Sequence, residues 1–215
     1  MTESWWEKAQ RYESAWGLGF LGQPLPSSFT HRNFPEFLQR DPQLLSELDL
    51  QMTGRVCLEL GCGPTPLISD WKLARRRLIV DPLLSTYLPH LRLPEEVEVI
   101  SAPGEQALTG LAGQVDGVLF DCNCIDHAED PLALFDLYLA CAAPGCWLMH
   151  WSDIWHYPSP DEGHRNISED RSVLRAFVTS RDFNIHHEFF LDRGQPPRQL
   201  DWGCLARKAV RLSPA

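Results

Sequence analysis

Glu59-Leu60-Gly61-Cys62-Gly63 ends the short apolar run Val56–Leu60 with an acid and two alternating glycines. Glycines at such a place let the chain turn sharply and let a ligand lie against bare backbone. About twenty residues on, Arg77-Leu78-Ile79-Val80-Asp81 ends in a second acid, at the spacing where nucleotide-binding α/β sheets hold ribose hydroxyls. A carboxylate suits that task because it offers two acceptor oxygens. An aspartate in front of Pro82 is also an ordinary strand-end turn residue, so the glycines upstream carry the argument.

Three histidines are candidates for proton transfer. His127 lies in Asp121-Cys122-Asn123-Cys124-Ile125-Asp126-His127-Ala128-Glu129-Asp130-Pro131, just past the apolar run Val115–Phe120. That is the carboxyl edge of a strand, where ligands sit, and histidine is the usual proton acceptor near neutral pH. The alternative is that His127 holds the turn, with Asp126 and Asp130 orienting it or capping a helix from Pro131. A second cluster, Trp151, Asp153, Trp155, His156, Tyr157, Glu162, His164 and Arg165, reads as a loop of about fifteen residues, long enough to suggest function. Aromatic walls with polar groups make a small-molecule pocket. Trp151, Asp153, Trp155 and Tyr157 are therefore candidate substrate contacts and His156 and His164 alternative proton acceptors; an ordinary folded loop is the other possibility. Asp126, His127, Asp153 and His156 are hard or borderline metal ligands, but no metal is assigned. His186-His187 falls in a strand pattern that turns the two rings to opposite faces, a structural role.

The elements that must position these residues follow from periodicity. Val56–Leu60, Leu78–Val80, Val97–Ile100, Val115–Phe120 and Cys146–Trp151 are short apolar runs, with helical patterns over 104–112 and 131–142 between them. Continuous apolar strands separated by helices predict a parallel sheet covered on both faces. An amphipathic helix after residue 168 carries Val173, Leu174, Phe177 and Val178, and segments near 184–191 and 202–210 predict a terminal antiparallel hairpin. Ahead of the repeat, 3–16 has a helical face of Trp5, Trp6, Ala9, Tyr12 and Trp16, 22–35 is rich in Pro and Ser, and 35–48 is helical with a break at Pro42. Residues 1–50 thus read as a helical cap or lid and 51–215 as the main domain. Trp5, Trp6, Trp16 and Phe20 are placed either over a flat or apolar substrate or against the domain surface.

Composition limits the partners. The 215 residues fit one domain with a small cap, and a hydrophobic fraction of 44% is that of a globular chain. The net charge is −10, with no Lys/Arg run longer than Arg75–Arg77, which argues against nucleic acid or an anionic membrane as partner and suits a neutral or cationic small molecule. The seven cysteines form no C-x-x-C pair, so buried reduced thiols are expected rather than disulfides or zinc. With neither a signal-peptide pattern at the start nor an apolar run of about 20 residues, the expectation is a soluble cytoplasmic protein. Oligomeric state stays open.

Taken together, these motifs resemble the class I S-adenosylmethionine (SAM)-dependent methyltransferases. Glu59-Leu60-Gly61-Cys62-Gly63 is similar to their motif I, with the acid two residues before the first glycine. Asp81 matches their ribose-binding acid and Gly104-Glu105 the pair often found beside the adenine. Val115–Pro131 resembles their fourth strand and its turn, in members with a Leu-Asp-His or Leu-Glu-His signature, and Ala143-Pro144-Gly145-Cys146 their Pro-Gly-Gly turn. The likeness covers about residues 55–210. It implies a Rossmann-like, seven-stranded, mostly parallel sheet with a terminal antiparallel hairpin and helices on both faces. It implies SAM as cofactor, held by Glu59, Gly61, Cys62, Gly63, Asp81, Pro82, Gly104, Glu105, Asp121, Cys122 and Asn123. It also implies methylation of oxygen or nitrogen on a small-molecule acceptor, with the base among His127, His156 and His164. The chain departs from the pattern at Thr65 (the third motif I glycine, followed by Pro66), at Cys146 and Ala143, and at Ala102-Pro103, where an acid near the adenine is usual. A non-catalytic SAM-fold binding or regulatory protein is the alternative; a nicotinamide enzyme is disfavoured by the missing third glycine.

Overall fold

All five residues of the first strand, β1 (Val56–Leu60), are buried, as a strand must be when it has neighbours on both edges and layers on both faces. The computed structural model describes residues 3–21, 47–48, 50–68, 71–157, 163–192, 194 and 198–210. Within them β1 pairs in parallel with β2 (Arg76–Val80) on one side and β4 (Val118–Cys122) on the other; β3 (Val97–Ile100) continues the sheet beyond β2. β5 (Trp147–Tyr157) runs parallel to β4, and the antiparallel hairpin β6 (Phe183–Asp192) and β7 (Arg198–Lys208) closes the sheet in the order β3-β2-β1-β4-β5-β7-β6. The seven-stranded, mostly parallel sheet with a terminal hairpin is thus observed. Chain order reverses between β1 and β4, so their carboxyl ends frame the crevice at which such sheets bind ligands.

Strand alternation sorts the core into two layers. Val56, Leu58 and Leu60 join Leu119, Leu148 and the buried residues of α4 (Pro131–Ala140) and α5 (Ser172–Ser180) on one face. Cys57, Ile79, Val118, Phe120 and Met149 meet Leu48, Met52 and Ile68 on the other, together with Leu84 of the one-turn helix α2 (Leu84–Tyr87). A second one-turn helix, α3 (Gly104–Ala107), follows β3.

The N-terminal helix α1 (Trp5–Phe20) starts with a capping box in which Ser4 and Glu7 satisfy each other's backbone donors. It docks against α2: Gly17 leaves room for the Tyr87 ring, whose hydroxyl donates to the Glu13 carbonyl at 3.2 Å. The expected loop over 22–35 and most of the expected helix over 35–48 lie outside the described residues. No described helix is long and apolar enough to cross a membrane.

Two boundaries differ from expectation. Val115 makes only an isolated bridge to Ala142, and β4 begins at Val118. β5 does not end at Trp151 but continues to Tyr157, paired with β7, with a bulge between Asp153 and Trp155. The bulge matters for chemistry. Regular alternation would send Asp153 and His156 to opposite faces, whereas one extra residue, Ile154, returns both to the same side, and Asp153 Oδ2 lies 3.5 Å from His156 Nε2.

Asp121 also departs from its expected place. Its carboxylate is fully buried in the α4 layer and accepts from its cross-strand neighbour His150, whose Nδ1 lies 2.8 and 2.9 Å from the two oxygens. The His150 ring packs between Phe135 and Trp202. A side chain committed to this layer does not face the crevice, so Asp121 is an internal brace. Breaking a buried pair leaves an uncompensated polar group and costs about 3–5 kcal/mol. Asp121→Ala should therefore lower the unfolding free energy obtained from urea titration by that order while leaving the ligand affinity of the remaining folded protein near wild type. Lost affinity with unchanged stability would return Asp121 to the ligand site.

Candidate active site

At the crevice, backbone geometry explains why this sequence has glycines. Gly61 and Gly63 sit at φ of +64° and +54°, where side chains are strained, and a Cβ on Gly61 would collide with the Cys124 side chain from the loop after β4. Two acids hold the turn from below. Glu59 accepts from Leu67 N at 2.9 Å and Ile68 N at 3.0 Å. Asp81 accepts from Gly63 N at 2.8 Å through Oδ2 and from Leu83 N at 2.7 Å through Oδ1. Each Asp81 oxygen keeps a second lone pair for a ligand hydroxyl. Burial pushes both acids upward against these hydrogen bonds, Glu59 to about 7.

Above the turn lies a cavity of about 390 Å³, within the range of small-molecule and cofactor sites. Its lining includes Glu59, Gly61, Cys62, Gly63, Asp81, Pro82, Gly104, Glu105, Cys122 and Asn123, which is every residue expected to hold a cofactor except Asp121. Gly104 is there because a Cβ would meet Leu134 Cδ1 at 2.6 Å. Asn123 adopts φ +56° and its Oδ1 accepts from Asp153 N at 2.7 Å, tying the loop after β4 to β5.

The same cavity gathers His127, His156 and His164 with Asp153. His164 stacks 4.2 Å from the His127 ring and 5.3 Å from that of His156, centroid to centroid. His127 Nδ1 faces Glu13 Oε1 at 3.2 Å and its Nε2 faces Asp126 Oδ1 at 3.7 Å. Burial alone pushes the His127 pKa down, but the Asp126 carboxylate and then Glu13 outweigh it and raise it to about 10. Asp126 is fully buried and accepts from Ser152 Oγ at 3.3 Å.

The aromatic candidates divide. Trp16 lines the cavity with Trp6 and Tyr12. Trp5 instead carries the Arg165 guanidinium 3.9 Å above its ring. Trp151 is buried in one core layer and Trp155 packs against the other, so neither lines the cavity. Tyr157 ends β5, and its side chain, like Glu162, lies outside the described residues. Sequence reasoning missed Glu13, Tyr87 and Gln199, all on the cavity wall. Trp6, Gln10, Glu13 and Trp16 recur at helical spacing, which carries the signal for Glu13; Gln199 comes from the hairpin and has no local signal.

Comparison with known proteins places this architecture. No family model and no curated protein matches the sequence. Solved structures match at low identity. The [4+2]-cyclase SpnF has a TM-score of 0.64 at 13% identity, covering 98% of each chain. A putative sarcosine dimethylglycine methyltransferase from Galdieria sulphuraria gives 0.60 at 11%, covering 94% of this chain and 98% of that one. The N-methyltransferase NodS from Bradyrhizobium japonicum WM9, in complex with S-adenosyl-L-homocysteine, gives 0.58 at 14%, covering 91% and 98%. The chain therefore has the Rossmann-like fold of class I SAM-dependent methyltransferases.

Glu59 makes the glycine turn pH-sensitive. In the folded chain it keeps its proton to about pH 7, against an ordinary value of 4.5. The unfolded chain binds fewer protons between those limits, so this group's contribution to stability is full below pH 4.5, falls through the window 4.5–7 and is lost above it, on the order of 3 kcal/mol. Glu59→Gln keeps a neutral acceptor for the loop amides and should flatten that part of the stability curve, measured by urea unfolding at pH 5 and 7.5. A fall as steep as that of the wild type would contradict this account.

Proposed function

We propose that this chain binds SAM and transfers its methyl group to oxygen or nitrogen of a small-molecule acceptor. The observation that carries the proposal is that the Gly61–Gly63 turn, Asp81 and three histidines line one cavity. In this reading the ribose hydroxyls lie against Asp81, the methionine end against the bare backbone at Gly61 near Glu59, and the adenine near Gly104 and Glu105. The surrounding carboxylates favour a sulfonium cation. Methyl transfer is an in-line displacement at an already activated carbon, so the protein chiefly aligns the two partners. His127, held as an imidazolium by Asp126 and Glu13, orients the nucleophile, and His156 or His164 carries its proton away. Helix α1, within the segment 1–50, serves as a cap whose Trp16 and Trp6 shape the acceptor space; Asp153 contributes a polar contact there. The net charge of −10 supports a small, non-polyanionic acceptor.

A second reading has a specific support: the same fold is shared over nearly the whole chain with a protein described as a cyclase, so a SAM-fold protein that does not transfer methyl is the alternative.

Calorimetric titration of SAM and S-adenosylhomocysteine tests the cofactor site. Micromolar binding is expected, weakened at least tenfold in Asp81→Ala, which loses charge-assisted acceptors worth about 1.5–3 kcal/mol each. No binding of either ligand would sink the proposal. With acceptor pools, S-adenosylhomocysteine release should fall strongly in His127→Ala while SAM affinity holds; tight SAM binding without turnover on any acceptor would favour the alternative.

A further inference from the structure

Two groups of potential metal ligands lie at or just beneath the cavity wall. One is Asp126, Asp153 and His156; the other is Glu13, His127 and His164. In each, three ligand atoms lie within 4.8 Å of one another. Asp126 joins them, since its Oδ1 lies 3.7 Å from His127 Nε2 and its Oδ2 lies 3.8 Å from His164 Nε2.

The distances within the cluster are informative. Within the buried group, His156 Nε2 and Asp153 Oδ2 stand 3.5 Å apart, long for a charge-assisted hydrogen bond, which runs about 2.7–2.9 Å. An ion with ligands at about 2.0–2.2 Å in tetrahedral array holds those ligands about 3.3–3.6 Å apart. Moreover, Asp126 is fully buried, and its Oδ2 has no hydrogen-bond partner although Oδ1 has one. A buried carboxylate oxygen left bare is costly, and a cation beside it removes that cost.

We propose that the buried Asp126–Asp153–His156 group binds a divalent first-row transition metal such as Zn²⁺, with the Glu13–His127–His164 group as an adjoining seat. The sequence alone assigned no metal, because Asp153 and His156 reach one face only through the β5 bulge and His164 arrives from beyond it. A mixed imidazole–carboxylate set selects Zn²⁺ or a neighbouring transition metal over Mg²⁺ or Ca²⁺, which take oxygen ligands. Three protein ligands leave an open position, and two of them, Asp153 and His156, line the cavity.

The inference deepens the proposed function, on which its catalytic meaning rests. With the metal in place His156 is a ligand and no longer a candidate proton acceptor, and a hydroxyl acceptor taking the open position would lose its proton to solvent more readily. Its oxygen lone pair then forms the new bond to the methyl carbon, the carbon–sulfur bond breaks, and that electron pair leaves on sulfur as a neutral thioether.

The test is direct metal binding by the full chain after chelator treatment, followed by calorimetry with Zn²⁺, by Mg²⁺ as control, and by the visible absorption of Co²⁺. Micromolar or tighter Zn²⁺ binding and intense d–d bands for Co²⁺ are expected, with Mg²⁺ far weaker. His156→Gln and Asp153→Asn should each weaken Zn²⁺ at least tenfold and collapse the Co²⁺ bands, with far-ultraviolet circular dichroism confirming the fold. Absence of Zn²⁺ and Co²⁺ binding by the wild type, or binding indifferent to both variants, overturns the proposal. SAM titration is read separately: SAM binding without metal binding defeats this inference alone, and metal binding without SAM binding defeats only the methyltransferase reading.

Discussion

The approach of the Gly61 backbone to the Cys124 side chain sets the geometry on which the site depends. The loops after β1 and β4 leave adjacent strands at the point where chain order reverses, and only a residue without a Cβ lets them touch. Their separation in turn fixes how far Asp81, held to Gly63, stands from His127, held in the turn after β4. A close-packed interior transmits such a constraint without slack. The positive φ of Gly61, the bond from Asp81 to Gly63 and the bond from Glu59 to Ile68 are three ways of keeping one loop in one place.

Most of the sheet was legible in the sequence because parallel strands buried on both faces are continuous apolar runs, and β1 and β3 fall where those runs do. The glycine turn and Asp81 were legible for a related reason: backbone conformation and carboxylate chemistry restrict which residues can serve there. What was hidden depends on register. Alternation puts Asp121 and Cys122 on opposite faces of β4, and the motif alone does not say which one the cavity sees. In β5 the run of Trp151 to Tyr157 lacks the apolar continuity of a central strand, since Asp153 and His156 interrupt it, so a strand end looked like a loop. The bulge at Ile154 has no sequence signature of its own; pairing with β7 creates it. Glu13 was overlooked for the opposite reason. On a helix rich in tryptophan, an acid looks like the solvent face, yet this one points at His127.

The charge pattern links fold to chemistry. Glu13, Glu59, Asp81, Asp126 and Asp153 all lie on or just beneath one cavity, and four of them are buried. Gathering carboxylates in a low-dielectric crevice is unfavourable in isolation. The structure offsets that cost with backbone amides at Glu59 and Asp81 and with imidazoles at Asp126 and Asp153. What remains is a pocket whose field is set for positive charge, whether on a sulfonium, an imidazolium or a metal ion.

The docking of α1 has a further consequence. Two of its contacts with the rest of the chain run through Glu13: its carbonyl takes the Tyr87 hydroxyl and its carboxylate faces His127. The helix that roofs the cavity is thereby fastened by a member of the charged cluster. Any displacement of α1 wide enough to admit a ligand also draws a carboxylate away from the imidazoles. Were ligand entry to require that displacement, entry and electrostatic assembly would be linked equilibria, and redocking of the helix would restore the carboxylate.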